Sequence, residues 1–361
     1  MHVTVLVPDV HDRPTGGTIY NRRVIAGLER HGPVEVAGWC PEEEPSPSLD
    51  APGDAVVLVD SLLVRHKTPI RTLRSAHPTA TFVLLAHYLH CIDPSETDAP
   101  AATTERAVLP CFDGVIATSP YAKQALVGEG VPEARIDVAP PGLDESYRAP
   151  TSDRSGRDVP RLLTVANLQP GKGLRTLVAA LSMLSELPWR WTLVGDDTLV
   201  QNFAASLYEQ VRASPIDDRI TMLGRVSPTD LRAQYDRADA FVLPSRFETC
   251  SMATREAMAR GLPVVATNVG GLPDNFGDAV AVGDAPAPDG SPAARLVPPD
   301  DPDALARPLR TLLADSAMRK EMGTAARERS RTFPTWTETA EHVRSILQRL
   351  AASPTGREGT S

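Results

Sequence analysis

Residues 244 to 271 read PSRFETCSMATREAMARGLPVVATNVGG, and they follow the apolar run AFVL at 240 to 243. The run predicts a buried strand ending near Ser245. A helix is expected to begin near Ser251 and to stop at Gly261 and Pro263, because glycine favours the end of a helix and proline cannot continue it. The segment PVVATN from Pro263 then supplies the next strand. Strand, helix, strand in this order is a βαβ unit with a parallel sheet buried on both faces.

The same alternation runs outward in both directions. VTVLV at 3 to 7, AVVLVD at 55 to 60, TFVLLA at 81 to 86 and GVIATS at 114 to 119 precede it, as do RLLTVAN from Arg161, WTLVGD from Trp191 and ITMLG from Ile220. These runs predict two parallel sheets. The polar segment APTSDRSGRDVP, 149 to 160, separates them and is rich in Pro, Ser, Gly and charge. The expected division is a first domain over 1–150 and a second over 151–334. TWTETAEHVRSILQRL has apolar residues at helical spacing and predicts a terminal helix over 335–350, with a disordered tail over 351–361.

Length and composition agree with two ordinary cores. The chain has 361 residues, 42% apolar and 23% charged, more than one domain normally needs. A net charge of −9 argues against nucleic acid as a partner. The acidity sits in the first half, which leaves room for a local basic patch and so for membrane contact without indicating it. Cys40, Cys91, Cys111 and Cys250 show no metal-finger spacing and are expected to be reduced. No run of eighteen apolar residues occurs, and MHVTVLVPDV enters a strand without the pattern of a signal peptide, so a cytoplasmic protein is expected. Nothing in the sequence reports the oligomeric state.

In doubly wound sheets ligands bind at the carboxyl ends of the strands, and the chemistry-bearing residues fall there. The amides of Cys250, Ser251 and Met252 would open the helix and favour an anion such as a diphosphate. Glu256 lies one turn further in, where its carboxylate can accept both hydroxyls of a ribose; Glu248 stands at the mouth, in reach of sugar hydroxyls. Taken alone, the two acids read equally as solvated groups or as partners of Arg246 and Arg255. NLQPGKG places Lys172 in a glycine-rich loop between strand and helix, where its charge would meet a leaving diphosphate. It is not a Walker A loop, because Gly173 follows Lys172. Gly16 and Gly17 follow the first strand and bring amides close to a ligand, with Arg22 and Arg23 on the solvated face of the next helix. His87 follows TFVLLA at a strand end; His90 lacks a third ligand for a metal. Asp301 and Asp303 read as a helix start.

The stretch 244 to 271, with its two glutamates eight positions apart and its Gly-Gly loop, resembles the retaining group 1, or family 4, glycosyltransferases. TGGTIYNRRVIAGL, VAPPGLD and NLQPGKG extend the resemblance along most of the chain. It implies the GT-B fold, an α/β architecture of two facing Rossmann-like, doubly wound domains with a cleft between them, the acceptor on the first and a nucleotide-sugar donor on the second. By the same resemblance Glu256 binds the donor ribose, Glu248 contacts the transferred sugar, Lys172 and His87 act beside it, and Arg225 and Val226 border the base. Gly270, Gly271 and Asp274 close another side. Asn167 stands where the family has an arginine, which removes one positive charge from the donor site. The implied reaction is sugar transfer with retention, needing no metal or other cofactor, from a UDP-, GDP- or ADP-sugar to an acceptor that the sequence does not identify. A nucleotide-sugar epimerase and a non-catalytic nucleotide-sugar-binding protein are the alternatives.

Because Gly16, Gly17 and His87 lie on one half and Lys172, Glu248 and Glu256 on the other, the two halves are expected to close over the donor and exclude water. Solution scattering with and without nucleotide-sugar should show a more compact chain in the bound state; superimposable profiles would refute closure.

Overall fold

A computed structural model of the chain describes residues 1–8, 15–40, 49, 53–148, 158–283 and 292–352. The chain forms two compact units, one of Met1–Gly142 with Pro334–Ser361, the other of Leu143–Phe333. Most of the expected linker and tail, 149–157 and 353–361, lies outside the described residues. The stretch that precedes the linker packs with the second unit: Leu143 and Tyr147 are in its core, and the Arg148 guanidinium donates to the Phe333 carbonyl at 2.7 Å.

The first unit contains strands β1 (Val3–Pro8), β2 (Val34–Trp39), β3 (Val56–Asp60), β4 (Thr81–Ala86), β5 (Gly114–Ala117) and β6 (Ile136–Val138), with helices α1 (Gly16–Leu28), α2 (Lys67–Ala76), α3 (Pro100–Val108) and α4 (Pro120–Gly128). All are parallel, in the order β2-β1-β3-β4-β5-β6. The second unit contains β7 (Arg161–Val165), β8 (Arg190–Val194), β9 (Ile220–Met222), β10 (Ala240–Leu243), β11 (Val264–Thr267), β12 (Val280–Val282) and β13 (Ala294–Val297). Its helices are α5 (Leu174–Ser182), α6 (Gln201–Arg212), α7 (Pro228–Arg237), α8 (Met252–Ala259), α9 (Leu272–Phe276), α10 (Pro302–Ala314) and α11 (Ser316–Ser330). The sheet is again parallel, in the order β12-β13-β11-β10-β7-β8-β9. The order reverses between β1 and β3 in the first sheet; in the second it reverses between β7 and β10 and again at the β12–β13 edge. A crevice forms outside the carboxyl ends of strands at such a reversal.

The nine strands expected from apolar runs are all present. The four others are β2, β6 and β12, which are sheet edges, and β13, which lies between β12 and β11. β2 is partly exposed along most of its length, so it lacks the continuous apolar signature of a central strand. Asp301 caps α10 by accepting the Ala304 amide at 2.8 Å, as its setting predicted.

After α11 the chain returns to the first unit as α12 (Trp336–Ala352). Thr335 and Glu338 form a capping box at its start, the threonine hydroxyl accepting the Glu338 amide and the glutamate accepting the Thr335 amide. Val343, Ile346, Leu347 and Leu350 enter the core shared with β1, β3, β4 and α1. A Cβ on Gly27 of α1 would stand 2.2 Å from the Ala340 Cβ, so α12 sits where only a hydrogen fits between the helices. Gly27→Ala should therefore destabilise the protein by about 1–3 kcal/mol through overpacking. Adding Ala340→Gly should recover part of that loss in thermal unfolding; no recovery would show that the two helices do not meet at this point.

Candidate functional site

The second unit brings Lys172 and Glu248 together although 76 residues separate them. Lys172 Nζ donates to Glu248 Oε1 at 2.7 Å, and Ser245 Oγ donates to the same oxygen at 2.8 Å. Two close approaches build this contact. Gly173 has a φ of +61°, and a Cβ there would lie 1.8 Å from the Pro244 carbonyl oxygen, so glycine alone lets the loop after β7 rest on the loop after β10. The Arg246 amide then donates to the Gly171 carbonyl at 2.8 Å. On the other side Gly270, with a φ of +51°, lies against the Glu248 carbonyl, which accepts the Gly271 amide at 2.7 Å. Thr267 of β11 donates its hydroxyl to the Ser245 carbonyl. Glu248 is thereby held by both its backbone and its side chain.

Ser251 caps α8, its hydroxyl accepting the Thr254 amide at 3.3 Å, so Cys250, Ser251 and Met252 stand at the N-terminal end of that helix. Burial pushes the Cys250 thiol up, which keeps it protonated and neutral beside the helix end. Arg246 pairs with Asp300 at 2.9 Å, and Arg255 donates to Asn275 at 2.8 Å with its guanidinium over Phe333. The two arginines beside the glutamates thus have other partners on which to spend their charge.

Glu256 sits one turn into α8. Its Oε2 accepts the Tyr235 hydroxyl at 2.8 Å, and the Tyr147 hydroxyl lies near the same carboxyl group. Burial raises its pKa to about 7, against the pull of the two tyrosine hydroxyls, and the Asp144 charge adds to the rise. Tyr235 and Tyr147 went unseen in the sequence, and Asp144 appeared there only as the end of VAPPGLD. Tyr235 lies 21 residues before Glu256 on a different helix, and only the fold brings it there.

Asn167, beyond the end of β7, accepts the Asp196 amide through its side-chain oxygen at 3.1 Å. Asp196 is buried, accepts Thr198, and has the exposed Arg225 guanidinium 3.8 Å from its Oδ2. Val226 packs against the core. Asn167 therefore ties the loop after β7 to the loop after β8. A cavity of about 230 Å³ also opens beside the Lys172 loop, lined by Pro170, Gly173, Arg175, Phe203 and Arg246. It is smaller than the ~300–1,000 Å³ of typical ligand pockets.

In the first unit Gly16 and Gly17 form the first turn of α1, which Thr15 and Thr18 close with a capping box. The His87 ring packs on Gly17, where a Cβ would lie 3.2 Å from its Cδ2. Its Nε2 is 2.7 Å from Asn21 Oδ1. His90 bonds to the buried Glu105 at 2.8 Å. Among the described residues no group of three or more His, Cys, Asp or Glu side chains is placed to hold a metal ion, and no helix is long and apolar enough to cross a membrane.

Residues 151–329 match the family described as glycosyl transferases group 1, and residues 55–147 match glycosyltransferase family 4. The D-inositol 3-phosphate glycosyltransferase of Kineococcus radiotolerans is 31% identical over 303 residues, covering 77% of this chain and 68% of that protein. The chain belongs to the group 1, family 4 glycosyltransferases. It spans about half the length of further relatives that it matches. The fold is GT-B: a sucrose-phosphate synthase from Thermosynechococcus elongatus superposes with a TM-score of 0.79 at 23% identity, over 98% of this chain and 100% of that one. HepE of Anabaena, solved with UDP-glucose, superposes with a TM-score of 0.74 at 19% identity, over 97% and 100% of the two chains.

The raised pKa of Glu256 gives a test in two directions. An acid whose folded pKa is raised from 4.5 to about 7 holds a proton that the unfolded chain releases, so its contribution to stability falls as pH rises across that window. Glu256→Gln removes this loss and should be more stable than wild type at pH 8 by about 1–3 kcal/mol, with no such gain at pH 4. The same variant should bind a nucleotide-sugar more weakly by about 1–3 kcal/mol. Unchanged donor affinity would remove Glu256 from the site.

Proposed function

We infer that this glycosyltransferase moves a sugar from a nucleotide-diphosphate sugar to an acceptor with retention at the anomeric carbon. The observation that carries the reading is the contact between Lys172 and Glu248 where the order of the second sheet reverses, beside the N-terminus of α8. There a cation and helix amides meet the leaving diphosphate, and a carboxylate stands ready for the hydroxyls of the transferred sugar. Glu256 accepts the ribose hydroxyls, and the backbone around Arg225 and Val226 borders the base. His87 contacts the sugar from the first unit. The diphosphate charge is met by Lys172 and the amides of Cys250, Ser251 and Met252, and the reaction needs no metal ion.

Retention is supported by the resemblance of the 244–271 stretch to retaining enzymes, and Lys172 and Ser245 occupy Glu248 with hydrogen bonds suited to orientation rather than attack. The UDP-glucose bound by HepE puts UDP-sugars first among donors. The inositol phosphate named for the Kineococcus relative puts phosphorylated polyols first among acceptors. A mass-spectrometric screen of donors against acceptors tests the transfer, and proton NMR of the product tests its anomeric configuration. An inverted product would overturn retention.

One observation favours a second reading. Asn167 stands where the family has an arginine and is bonded to the Asp196 amide, so the diphosphate site has one cation fewer. A nucleotide-sugar-binding protein without transfer would show donor binding by calorimetry and no product with any acceptor.

Lys172 is partly exposed and bonded chiefly to Glu248, so its removal disturbs little packing, while the charge it faces grows as the diphosphate leaves. Lys172→Ala should lower kcat by roughly 10²-fold or more with a thermal midpoint close to that of wild type. Full activity in the variant would reject its role.

A further inference from the structure

The His87 ring is one end of a buried relay that the donor-site assignments do not use. Asn21, four residues after Gly17 on α1, donates from Nδ2 to Asp60 Oδ2 at 2.5 Å, and its Oδ1 meets His87 Nε2 at 2.7 Å. Asp60 ends β3 with 1% exposure, Asn21 is 3% exposed, and only a tenth of the His87 side chain is exposed. The other oxygen of Asp60 accepts the Leu62 amide at 2.7 Å. Three elements thus converge behind one imidazole, at the point where the order of the first sheet reverses.

The chemistry of the three groups fixes the direction of every hydrogen bond. A carboxylate only accepts, so the amide of Asn21 must turn its NH2 toward Asp60. Its oxygen is then left to face the ring, and His87 must donate from Nε2. In the neutral ring this fixes the proton on Nε2 and leaves Nδ1 as the acceptor nitrogen. Burial favours that neutral form, pushing the imidazole below its ordinary value of 6.5 against the opposing charge of Asp60, 3.9 Å away. Among the described residues the titratable groups facing the ring include Asp60 from β3 and Tyr20 from α1, whose ring is edge-on at 5.0 Å. Gly17 leaves the ring the space it occupies, and Ser61 Oγ accepts the His87 amide at 3.1 Å.

We propose that Asn21 and Asp60 are positioning residues for sugar transfer, holding His87 in one orientation and one neutral tautomer. The proposal rests on the reading that His87 contacts the transferred sugar. A neutral ring with a fixed acceptor nitrogen can take a hydrogen bond from a sugar hydroxyl without placing a second cation beside the oxocarbenium-like centre. Asp60 reaches the sugar only through Asn21 and His87.

The test reads the ring itself before it reads activity. In the full chain labelled with 15N at histidine, the His87 resonances, identified by their loss in His87→Ala, should show a single tautomer protonated at Nε2 between about pH 6 and 8. Asp60→Asn is isosteric. The Leu62 amide holds its oxygen in place, so the new NH2 faces Asn21, which must flip and present its own NH2 to His87. The tautomer should then reverse to a proton on Nδ1. A reversed tautomer in an intact geometry is costly in the way the Asp→Asn exchange is in serine protease triads. For one hydrogen bond lost in the transition state, kcat should fall about tenfold or more, with the donor KM within about twofold of wild type. Asn21→Leu should give mixed tautomers and a comparable loss.

A charged or Nδ1-protonated ring in the wild type would overturn the proposal. So would an Asp60→Asn variant that keeps the Nε2 tautomer, or one that reverses it with kcat unchanged while His87→Ala is inactive. A fully active His87→Ala would remove His87 from the reaction, and the proposal would fail with the reading beneath it, whatever tautomer the ring showed.

Discussion

The close approach of the loops after β7 and β10 is the constraint on which the second unit's chemistry depends. Those strands are neighbours in the sheet, so their carboxyl ends emerge side by side, yet neighbouring strands alone leave side chains free to point anywhere. Contact requires that one backbone lie on the other. Gly173 supplies it, through a left-handed φ and the absence of a Cβ that would otherwise strike the Pro244 carbonyl. Lys172 and Glu248 meet because of it. A preorganised pair of this kind costs little reorganisation when a charged ligand arrives, which is the main advantage a protein site has over water.

The first unit solves the same problem with different residues. Its sheet reverses between β1 and β3, and the residues of interest leave from those two strands and from the neighbouring β4. Here the close contact is between Gly17 and the face of His87, and the ring is held from behind by Asn21 and Asp60 rather than by an ion pair. Orientation is fixed by hydrogen-bond direction, because a buried carboxylate admits only one arrangement of the amide and hence one of the imidazole. The two units share a doubly wound parallel architecture and a principle while differing in the interaction that enforces it.

Much of this was legible in the sequence because it is local. The central strands announce themselves as apolar runs, and α8 is bounded by Ser251 at one end and Gly261 and Pro263 at the other. The Glu248 and Glu256 positions follow from that frame. What was hidden is long-range. Tyr235 and Tyr147 reach Glu256 from elsewhere in the chain, and no periodicity records that they will. Asp60 offered a weak signal, an acid closing a buried apolar strand, and Asn21 a weaker one, a polar residue one turn beyond Gly17 on the same face of α1. The end of the first unit was hidden for a related reason. Composition marks the polar stretch from 149, whereas packing assigns Leu143 and Tyr147, just before it, to the second core.

The charges of the proposed donor site also depend on environment more than on residue type. Glu248 and Glu256 are the same side chain eight positions apart, yet one is paired with a lysine while the other is enclosed by tyrosines with Asp144 nearby and holds its proton to about pH 7. Two such acids beside an incoming diphosphate would repel it if both were bare. The pairing of Glu248 offsets one charge, and the burial of Glu256 suppresses the other until a ligand arrives. A ribose that donates its hydroxyls to Glu256 favours the charged form of the acid, so donor uptake in the proposed reaction is linked to release of that proton. The cost of desolvating the carboxylate is then borne in the bound state, where two hydroxyls replace the missing water, and not in the empty site, where nothing would.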